Sequence, residues 1–290
     1  MQLIHQPVLL KQTLGYLDPN PGENFIDCTF GFGGHSLALL EKNGPDGKIL
    51  GIEQDKEVLE KAVSNERLIL VNDNFKNLGE IVKESEFGKV DGILFDLGVS
   101  SWHFDQSGRG FSFKRDEPLL MTCSQDGFSA QEIINQWSKE ELVSIFKEYG
   151  QERYAGPIAE AIYKQRKIEP IKTTGRLVEI ISQVVPMKYQ QGRIHFATRI
   201  FQALRIAVND ELDNLKQALP QALEILERNG RLVVISFHSL EDRIVKNFFR
   251  ESAKKGEAEI LTKKPIVPDE EETKLNPRSR SAKLRAIEKN

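Results

Sequence analysis

Long apolar runs are missing from this sequence, and none approaches the roughly 20 residues that a membrane-spanning helix needs. The N-terminal stretch MQLIHQPVLLKQ has neither the basic start nor the long apolar run of a secretory signal peptide. Cysteine is also scarce, because Cys28 and Cys123 are the only two and lie far apart along the chain. Isolated thiols of this kind argue against a disulfide framework. We therefore expect a soluble, cytoplasmic protein with reduced cysteines and no membrane partner.

Acidic residues are missing from part of the chain, although the net charge is -3. Residues 180–209 contain no acid, and residues 278–285 are also basic. The cations of these two stretches are Lys188, Arg193, Arg199 and Arg205, followed by Arg278, Arg280, Lys283 and Arg285. Local basic stretches in a mildly acidic protein indicate an anionic macromolecule as the partner.

The strongest structural signal is the stretch NFIDCTFGFGGH at residues 24–35. It is typical of a strand that enters a glycine-rich turn and then a helix. Glycine permits positive φ and lets a ligand lie against bare backbone, and a helix N-terminus offers N–H groups to that ligand. A second apolar strand, KILGI, ends at Glu53 about twenty residues later, where nucleotide-binding folds keep an acid for ribose hydroxyls. Turn, helix and acid together predict a nucleotide site.

Strands and helices alternate in the first hundred residues, which predicts a parallel sheet. Further predicted strands cover residues 48–52, 67–71, 91–97 and 231–237, and a closing antiparallel pair covers residues 259–266 and 282–288. Between residues 104 and 207 only helical spacing is found. We therefore predict an α/β, Rossmann-like domain formed by residues 1–103 and 208–290. An all-helical, substrate-recognising insertion at residues 104–207 interrupts it.

Ligands of open parallel sheets bind at the carboxyl ends of the strands, so polar residues just past each strand form the candidate site. These candidates include Gly31, Gly33, Gly34, His35, Glu53, Phe75, Asp96, Ser100, Ser101 and His238. The Glu53 carboxylate can hold two ribose hydroxyls, and the Phe75 ring offers a flat face to a purine. Asp96 can accept from an ammonium group. S-adenosylmethionine carries all three of these groups: ribose hydroxyls, a purine and an ammonium group.

Simpler interpretations stay open at several of these positions. The glycines are compatible with a plain tight turn, Phe75 with a core position, and Asp96 with a helix cap. A nicotinamide cofactor is disfavoured because Ser36 replaces the third glycine of the dinucleotide pattern. A metal site is disfavoured because the histidines are spread over separate elements without ligand spacing.

Residues 195–209 predict an amphipathic helix with one apolar face and one acid-free face. The acid-free face carries His195, Arg199, Gln202, Arg205 and Asn209. A solvated helix face normally mixes both signs of charge. This face therefore favours contact with an anionic partner.

Several longer strings are more specific than any glycine pattern. They are HQPVL at residues 5–9, DCTFGFGGHS at 27–36, DLGVSS at 96–101, RGFSF at 109–113, FATRIFQALRIAVNDEL at 196–212, ISFHSLEDRIVK at 235–246 and NPRSRSAKLR at 276–285. On these strings the sequence resembles the RsmH/MraW family of small-subunit rRNA methyltransferases along nearly its whole length.

The resemblance implies a class I fold and S-adenosylmethionine-dependent methylation of a cytosine N4 in the decoding centre of 16S rRNA. In standard rRNA numbering the target is cytosine 1402, near the P site, and the reaction is a step of rRNA processing and ribosome biogenesis. The implied cofactor contacts are Gly33, Gly34, His35, Glu53, Phe75, Asp96 and His103. Candidates for holding the target base are Ser100, Ser101 and His238. Candidate RNA contacts are Arg109, Arg199, Arg205, Arg278, Arg280 and Arg285. The implied partner is 16S rRNA in the small ribosomal subunit, no metal is implied, and a homodimer is left open.

Two departures from the family pattern matter for the site. Glu53 stands where the family usually has aspartate, which moves the carboxylate one methylene outward. Residues 118–124 read PLLMTCS, where the family typically has proline, leucine, aspartate, methionine, arginine, methionine and aspartate. We interpret the chain as a lineage variant of the same enzyme. A non-catalytic ribosome-assembly factor that binds S-adenosylmethionine or RNA stays open as a second class, and a nicotinamide dehydrogenase is the third.

Overall fold

The structure is a computed structural model that describes residues 7–124 and 128–290. It divides the chain into two compact units. The first comprises the described residues up to Gly98 together with Leu212–Asn290, and the second comprises Val99–Glu211. The insertion predicted at residues 104–207 lies inside the second unit, which extends a few residues further at both ends. His5 and Gln6, which open the first family string, lie outside the described residues.

A seven-stranded sheet forms the centre of the first unit. Its strands are β1 (Phe25–Asp27), β2 (Ile49–Ile52), β3 (Leu68–Val71), β4 (Gly92–Asp96), β5 (Arg231–Ser236), β6 (Ala258–Ile260) and β7 (Lys283–Lys289). Their order across the sheet is β3-β2-β1-β4-β5-β7-β6. The strands β1 to β5 are parallel, whereas β7 runs antiparallel to both β5 and β6. The predicted parallel sheet with a closing antiparallel pair is confirmed.

The helices are, in chain order, α1 (Leu10–Leu17), α2 (Gly34–Lys42), α3 (Lys56–Glu60), α4 (Leu78–Glu84), α5 (Ser101–Asp105), α6 (Ala130–Gln136), α7 (Lys139–Glu148), α8 (Ala155–Gln165), α9 (Thr174–Val184), α10 (Met187–Gln190), α11 (Thr198–Asn209), α12 (Glu211–Ile225), α13 (Ser239–Lys254) and α14 (Glu270–Leu275). Short 3₁₀ turns lie at Phe75–Asn77 and Pro277–Ser281. Among the described residues, none of these helices is both long and apolar enough to span a bilayer.

Burial explains why the strands read as nearly unbroken apolar runs. In β4, Ile93, Leu94 and Phe95 are all fully buried, because helices pack on both faces of a doubly wound sheet. Side chains of α12 and α13 contribute to the core on one face, and those of α1 and α2 to the core on the other. The alternation therefore places the strand ends, where the polar candidates lie, along one edge of the sheet.

The second unit has its own core of helical side chains. Capping boxes start two of its helices, with Ser129 before α6 and Ser138 before α7. The apolar face of α11, including Ile200, Phe201 and Leu204, is buried in this core. The amphipathic helix predicted in this region is confirmed, although it starts at Thr198.

Four helices were not predicted from the sequence, namely α4, α5, α10 and α14. Helix α4 follows β3, where no helix was predicted. The stretch of residues 265–277, for which no helix was predicted, contains α14, which Asp269 caps by accepting from the Glu272 N–H at 2.8 Å. Acids in the first turn of α14 favour it because they complement the helix dipole.

Candidate functional site

The candidate site begins at the turn between β1 and α2. Gly33 has a φ of 81° and is the N-cap of α2. A Cβ at this residue would lie 2.7 Å from Phe30 Cζ and 3.0 Å from Val63 Cγ2. Only glycine fits both this conformation and this space without strain. The turn therefore presents bare backbone at a helix N-terminus, as the sequence predicts.

Asp27 ends β1 and ties the turn together. Its Oδ2 accepts a 2.7 Å hydrogen bond from the Ser36 hydroxyl, and its Oδ1 accepts from the Thr29 N–H at 3.2 Å. Burial raises the pKa of Asp27 to about 6 in spite of these bonds. The serine that breaks the dinucleotide glycine pattern therefore anchors α2 to β1.

Glu53 follows β2 and is held against the same turn. Its Oε2 accepts from the Gly31 N–H at 3.0 Å, and its Oε1 accepts from the Asp55 N–H at 2.8 Å. Burial raises the pKa of Glu53 to about 7, and the charges of Asp55 and Asp27 add to the rise. Each carboxylate oxygen can accept a further hydrogen bond. Glu53 is therefore fixed in place with acceptor capacity left for a ligand.

Asp96 ends β4 beside His35. The Asp96 N–H donates to the Thr29 hydroxyl at 2.6 Å, while its side-chain Oδ1 is buried and has no hydrogen-bond partner within the described residues. Its Oδ2 lies 3.6 Å from His35 Nδ1, and His35 Nε2 lies 3.0 Å from the Val8 carbonyl oxygen. Burial, together with Asp27 and Glu241, raises the pKa of Asp96 well above its usual range. This carboxyl therefore favours a donor group that the described part of the chain does not supply.

Phe75 occupies the 3₁₀ turn after β3. Its ring is partly buried and meets Phe95 edge to face, with 5.4 Å between the ring centroids. It packs against the sheet core while part of its surface stays exposed. Phe75 therefore combines the two predicted roles, because it belongs to the core and also offers surface to a ligand.

The three acids Asp27, Glu53 and Asp96 lie at the carboxyl ends of β1, β2 and β4, which are neighbours in the sheet. All three have raised pKa values. Donor groups and a positive charge would relieve the desolvation and mutual repulsion of these carboxylates, whereas an anionic ligand would increase both. The site is therefore suited to a cationic ligand that carries hydroxyl or ammonium donors.

Three further candidates lie on α5 in the second unit. Ser100 is the N-cap residue of α5, so the helix-cap alternative for Asp96 is wrong. The Ser100 hydroxyl is 2.9 Å from His103 Nδ1, and the His103 ring is buried edge-on against Trp102. Ser101 makes no side-chain hydrogen bond with any described residue.

His238 lies in the first unit, at the start of α13. Its Nδ1 accepts from the Glu241 N–H at 3.3 Å, and the Glu241 carboxylate accepts from the His238 N–H at 3.1 Å, which makes a capping box. Glu241 is buried and contributes to the raised pKa of Asp96. The imidazole is thus engaged by its own helix, and its contact with a target base stays a prediction.

Two of the predicted RNA-binding arginines are already neutralised. Arg205 makes a bidentate ion pair with Glu211 at 2.8 and 3.0 Å. Arg285 is buried in β7, where its Nε donates to Asp242 Oδ1 at 2.7 Å. A guanidinium held in this way offers little to a phosphate, so these ion pairs disfavour both residues as RNA contacts. Their type and position in the sequence gave no sign of these partners.

The other four arginines stay predictions. Arg109 is partly exposed, donates to the Thr122 carbonyl at 3.1 Å and lies over the Trp102 ring. Arg199 is partly exposed and donates to the Gln151 carbonyl at 3.3 Å. The remaining two, Arg278 and Arg280, are exposed.

The unusual segment at residues 118–124 packs against the core of the second unit with alternate side chains. Leu119, Met121 and Cys123 are buried, whereas Leu120 is 37% exposed. The side chain of Asn209 holds the segment, since it donates to the Met121 carbonyl at 2.8 Å and accepts from the Cys123 N–H at 2.9 Å. The lost acids and arginine fall at positions 120, 122 and 124, which alternate with the buried ones, so their loss alters the outward side of the segment. On the buried side, only Cys123 differs from the family pattern, which has methionine there.

Sequence reasoning missed Asp27 and Glu241 as parts of the site. A signal existed for Asp27, because it is a lone acid in an apolar strand just before the glycine turn. Glu241 gave no such signal, since an acid in the first turn of a helix is normally a surface residue.

The fold and the site together define a Rossmann-like α/β protein of the class I methyltransferase type. The family model described as the MraW methylase family matches residues 2–290. The chain therefore belongs to the MraW methylase family.

It is similar to ribosomal RNA small subunit methyltransferase H of Heliobacterium mobile, with 45% identity over 311 residues and 100% of both chains covered. The protein of the same name from Clostridium botulinum (strain Loch Maree) is 43% identical over 309 residues, again with 100% of both chains covered. A solved rRNA methylase structure from Streptococcus thermophilus is 12% identical, with a TM-score of 0.44 over 99% of this chain and 98% of that chain.

Membership of a methylase family removes the nicotinamide dehydrogenase alternative. It leaves the roles of the individual site residues as proposals.

Proposed function

We propose that this protein transfers the methyl group of S-adenosylmethionine to the N4 amino group of cytosine 1402 of 16S rRNA. The observation that carries the cofactor assignment is the row of buried and partly buried carboxyls at the sheet edge, above all Asp96, whose Oδ1 has no hydrogen-bond partner among the described residues. S-adenosylmethionine is a sulfonium with an ammonium group and two ribose hydroxyls, so it supplies both the charge and the donors that this edge favours. The name shared by the relatives supports small-subunit rRNA as the substrate.

The first unit offers a place for each part of the cofactor. Glu53 would accept from the ribose hydroxyls, Phe75 would contact the adenine, and Asp96 would accept from the methionine ammonium group. The glycine turn would allow close approach, and the backbone N–H groups at the start of α2 would bind the carboxylate of the methionine moiety. His35 stabilises the ionised form of Asp96 when it carries a second proton on Nδ1.

The bound cofactor supplies an electrophilic methyl group, so the protein has to position the acceptor and exclude water. The cytosine N4 lone pair is conjugated into the ring, and an acceptor for its N–H protons is needed to make it nucleophilic. The target cytosine must also be unpaired or flipped out of its stack. Of the two serines among the three base-holding candidates, Ser101 is the one whose hydroxyl makes no hydrogen bond with a described residue. We therefore assign the base contact to Ser101 before Ser100 and His238.

Methyl transfer tests this function directly. We expect labelled methyl groups to pass from S-adenosylmethionine to small ribosomal subunits or to naked 16S rRNA, and comparison of the two identifies the form of the substrate. The cytoplasmic setting and a homodimer stay predictions, and light scattering after gel filtration checks the homodimer.

Cofactor affinity is expected to rise with pH between about 5.5 and 7.5. The folded protein without ligand holds protons on Asp27 and Glu53, with pKa values of about 6 and about 7, more tightly than the unfolded chain does. These groups therefore stabilise the fold at pH below about 4, and this contribution is lost as pH rises through 6 and 7. A cationic ligand prefers the ionised carboxylates, so its binding releases protons in the same range. Calorimetry in buffers of different ionisation enthalpy counts these protons.

S-adenosylhomocysteine is the control for this pH dependence, because it carries the same amino group and ribose without the sulfonium charge. Smaller proton release with S-adenosylhomocysteine agrees with the assignment. Cofactor affinity that does not change between pH 5.5 and 7.5 contradicts it.

Replacement of Arg285 by alanine is expected to destabilise the fold and to leave RNA affinity unchanged. The change removes the closer of two cations that pair with Asp242 and leaves Lys283, whose Nζ lies 3.4 Å from Asp242 Oδ2, at a cost of about 1–3 kcal/mol. Arg280→Ala, which removes an exposed arginine, is expected to leave stability unchanged and to weaken RNA binding. Urea denaturation and RNA titration of both variants measure the two effects. Weaker RNA binding by folded Arg285→Ala protein would show that Arg285 does contact RNA.

A further inference from the structure

A cavity of about 530 Å³ lies within the second unit. Its lining is cationic and aromatic, and includes Arg153, Lys188, Arg193, Arg199, Tyr154 and Tyr189. We call this site the cationic cavity. Its volume suits a ligand of about nucleotide size, since small-molecule pockets span roughly 300–1,000 Å³.

The charge of the cationic cavity is balanced only in part, because one acid lies beside four cations. The nearest acid in sequence, Glu152, is buried and already accepts from the Tyr189 hydroxyl at 2.5 Å and from the Tyr154 N–H at 2.8 Å. Across the described part of the chain, Lys188 and Arg193 make no ion pair, and both are exposed. Four cations around one opening repel one another, so an anionic ligand would stabilise the arrangement.

Aromatic rings hold one of these cations in place. The Arg153 guanidinium lies 4.9 Å from the centroid of the Tyr154 ring and 4.5 Å from that of the Tyr189 ring. The two rings meet edge to face at 4.9 Å. A guanidinium fixed in this way loses little entropy when it binds a phosphate in a bidentate manner. His195 also lines the cavity, and burial lowers its pKa, so it offers a neutral ring at pH 7 and not a further charge.

We propose that the cationic cavity binds the sugar-phosphate backbone of an unpaired segment of the RNA substrate. Arg153 and Arg193 contact phosphates, and the tyrosine rings contact the adjoining nucleotide. The mixture of arginines with aromatic rings favours single-stranded RNA over an acidic protein, because stacking and phosphate contacts together are what unpaired nucleotides offer. The identity of the RNA in this inference rests on the proposed function. The existence of the site does not.

The test uses the full-length double variant Arg153→Gln/Arg193→Gln and a single-stranded oligonucleotide of the decoding region. We expect its Kd to rise about 10- to 100-fold near 0.1 M salt. The slope of log K against log salt should fall by about 1.4, since each phosphate contact to a single strand contributes about 0.7. With small subunits as substrate, KM should rise while kcat and S-adenosylmethionine affinity stay unchanged.

The matched control is Lys139→Gln/Lys164→Gln, which removes the same charge from the same unit at partly exposed positions paired with Glu160. Equal weakening by both double variants would mean that net charge alone acts, and would overturn the proposal. Unchanged RNA affinity in the Arg153→Gln/Arg193→Gln protein would overturn it as well, and so would displacement of the oligonucleotide by polyglutamate at equal charge concentration. If wild-type protein binds RNA through these arginines but transfers no methyl group, the proposed function fails and the cavity assignment stands.

Discussion

Replacing Asp96 with asparagine is expected to weaken S-adenosylmethionine binding roughly 10- to 100-fold, because a charge-assisted hydrogen bond contributes about 1.5–3 kcal/mol. The same change should leave the protein without ligand as stable as the wild type, or more stable. Asp96 is a partly buried residue whose Oδ1 is buried and has no hydrogen-bond partner within the described residues. A neutral amide removes its repulsion with Asp27 and Glu241, and can donate to His35 Nδ1. Calorimetric titration and thermal unfolding of the same samples measure the two effects.

The matched control for this variant is Asp213→Asn, which makes the same charge change at an exposed position of α12. We expect it to alter neither affinity nor stability noticeably. If Asp96→Asn binds the cofactor as tightly as the wild type, the acidic sheet edge is not the cofactor site. If the variant instead loses stability without ligand, Asp96 has a structural role that the raised pKa does not suggest.

Replacing Gly33 with alanine is expected to lower the free energy of unfolding by about 2–5 kcal/mol and to abolish cofactor binding. About 1–2 kcal/mol arises from placing a side chain at positive φ. A further 1–3 kcal/mol arises from forcing a methyl group against the buried Phe30 ring, 2.7 Å away. Relief of this overlap requires the turn to move, and the turn carries the backbone that the cofactor approaches. Denaturant unfolding and cofactor titration report the two losses.

Gly22→Ala separates the two contributions. Gly22 also has a positive φ, of 87°, but no heavy atom lies within 4 Å of a Cβ built there. This control should lose only the conformational part, about 1–2 kcal/mol, and should bind the cofactor normally. Equal losses in the two alanine variants would show that the space around Gly33 does not matter.

The fold of the first unit could be predicted from sequence because its signals are local and agree with one another. Buried strands such as β4 are continuous apolar runs, the glycine turn is a compact pattern, and Glu53 follows the second strand at the expected distance. The missed helix α4 and the missed helix α14 show the limit, since short helices lack enough turns to display a clear period.

The candidate site was predictable only where position along the chain decides the role. Gly33, Glu53 and Asp96 follow strand ends, so topology alone brings them to one edge. The partners of arginines cannot be derived in this way, because Arg285 meets Asp242 only through tertiary pairing of β7 with the rest of the sheet. The same holds for Arg153, whose two tyrosine contacts come from residues 154 and 189.

The most direct test of the account is the identity of the methylated nucleoside. Small subunits that lack the modification are incubated with the protein and S-adenosylmethionine, and the rRNA is digested and analysed by mass spectrometry, with Glu53→Ala as the control. We predict N4-methylated cytidine in the fragment that contains cytosine 1402, and its loss in the control. Cofactor binding without any methylated nucleoside, on subunits or on naked rRNA, would contradict the account and favour a non-catalytic assembly factor.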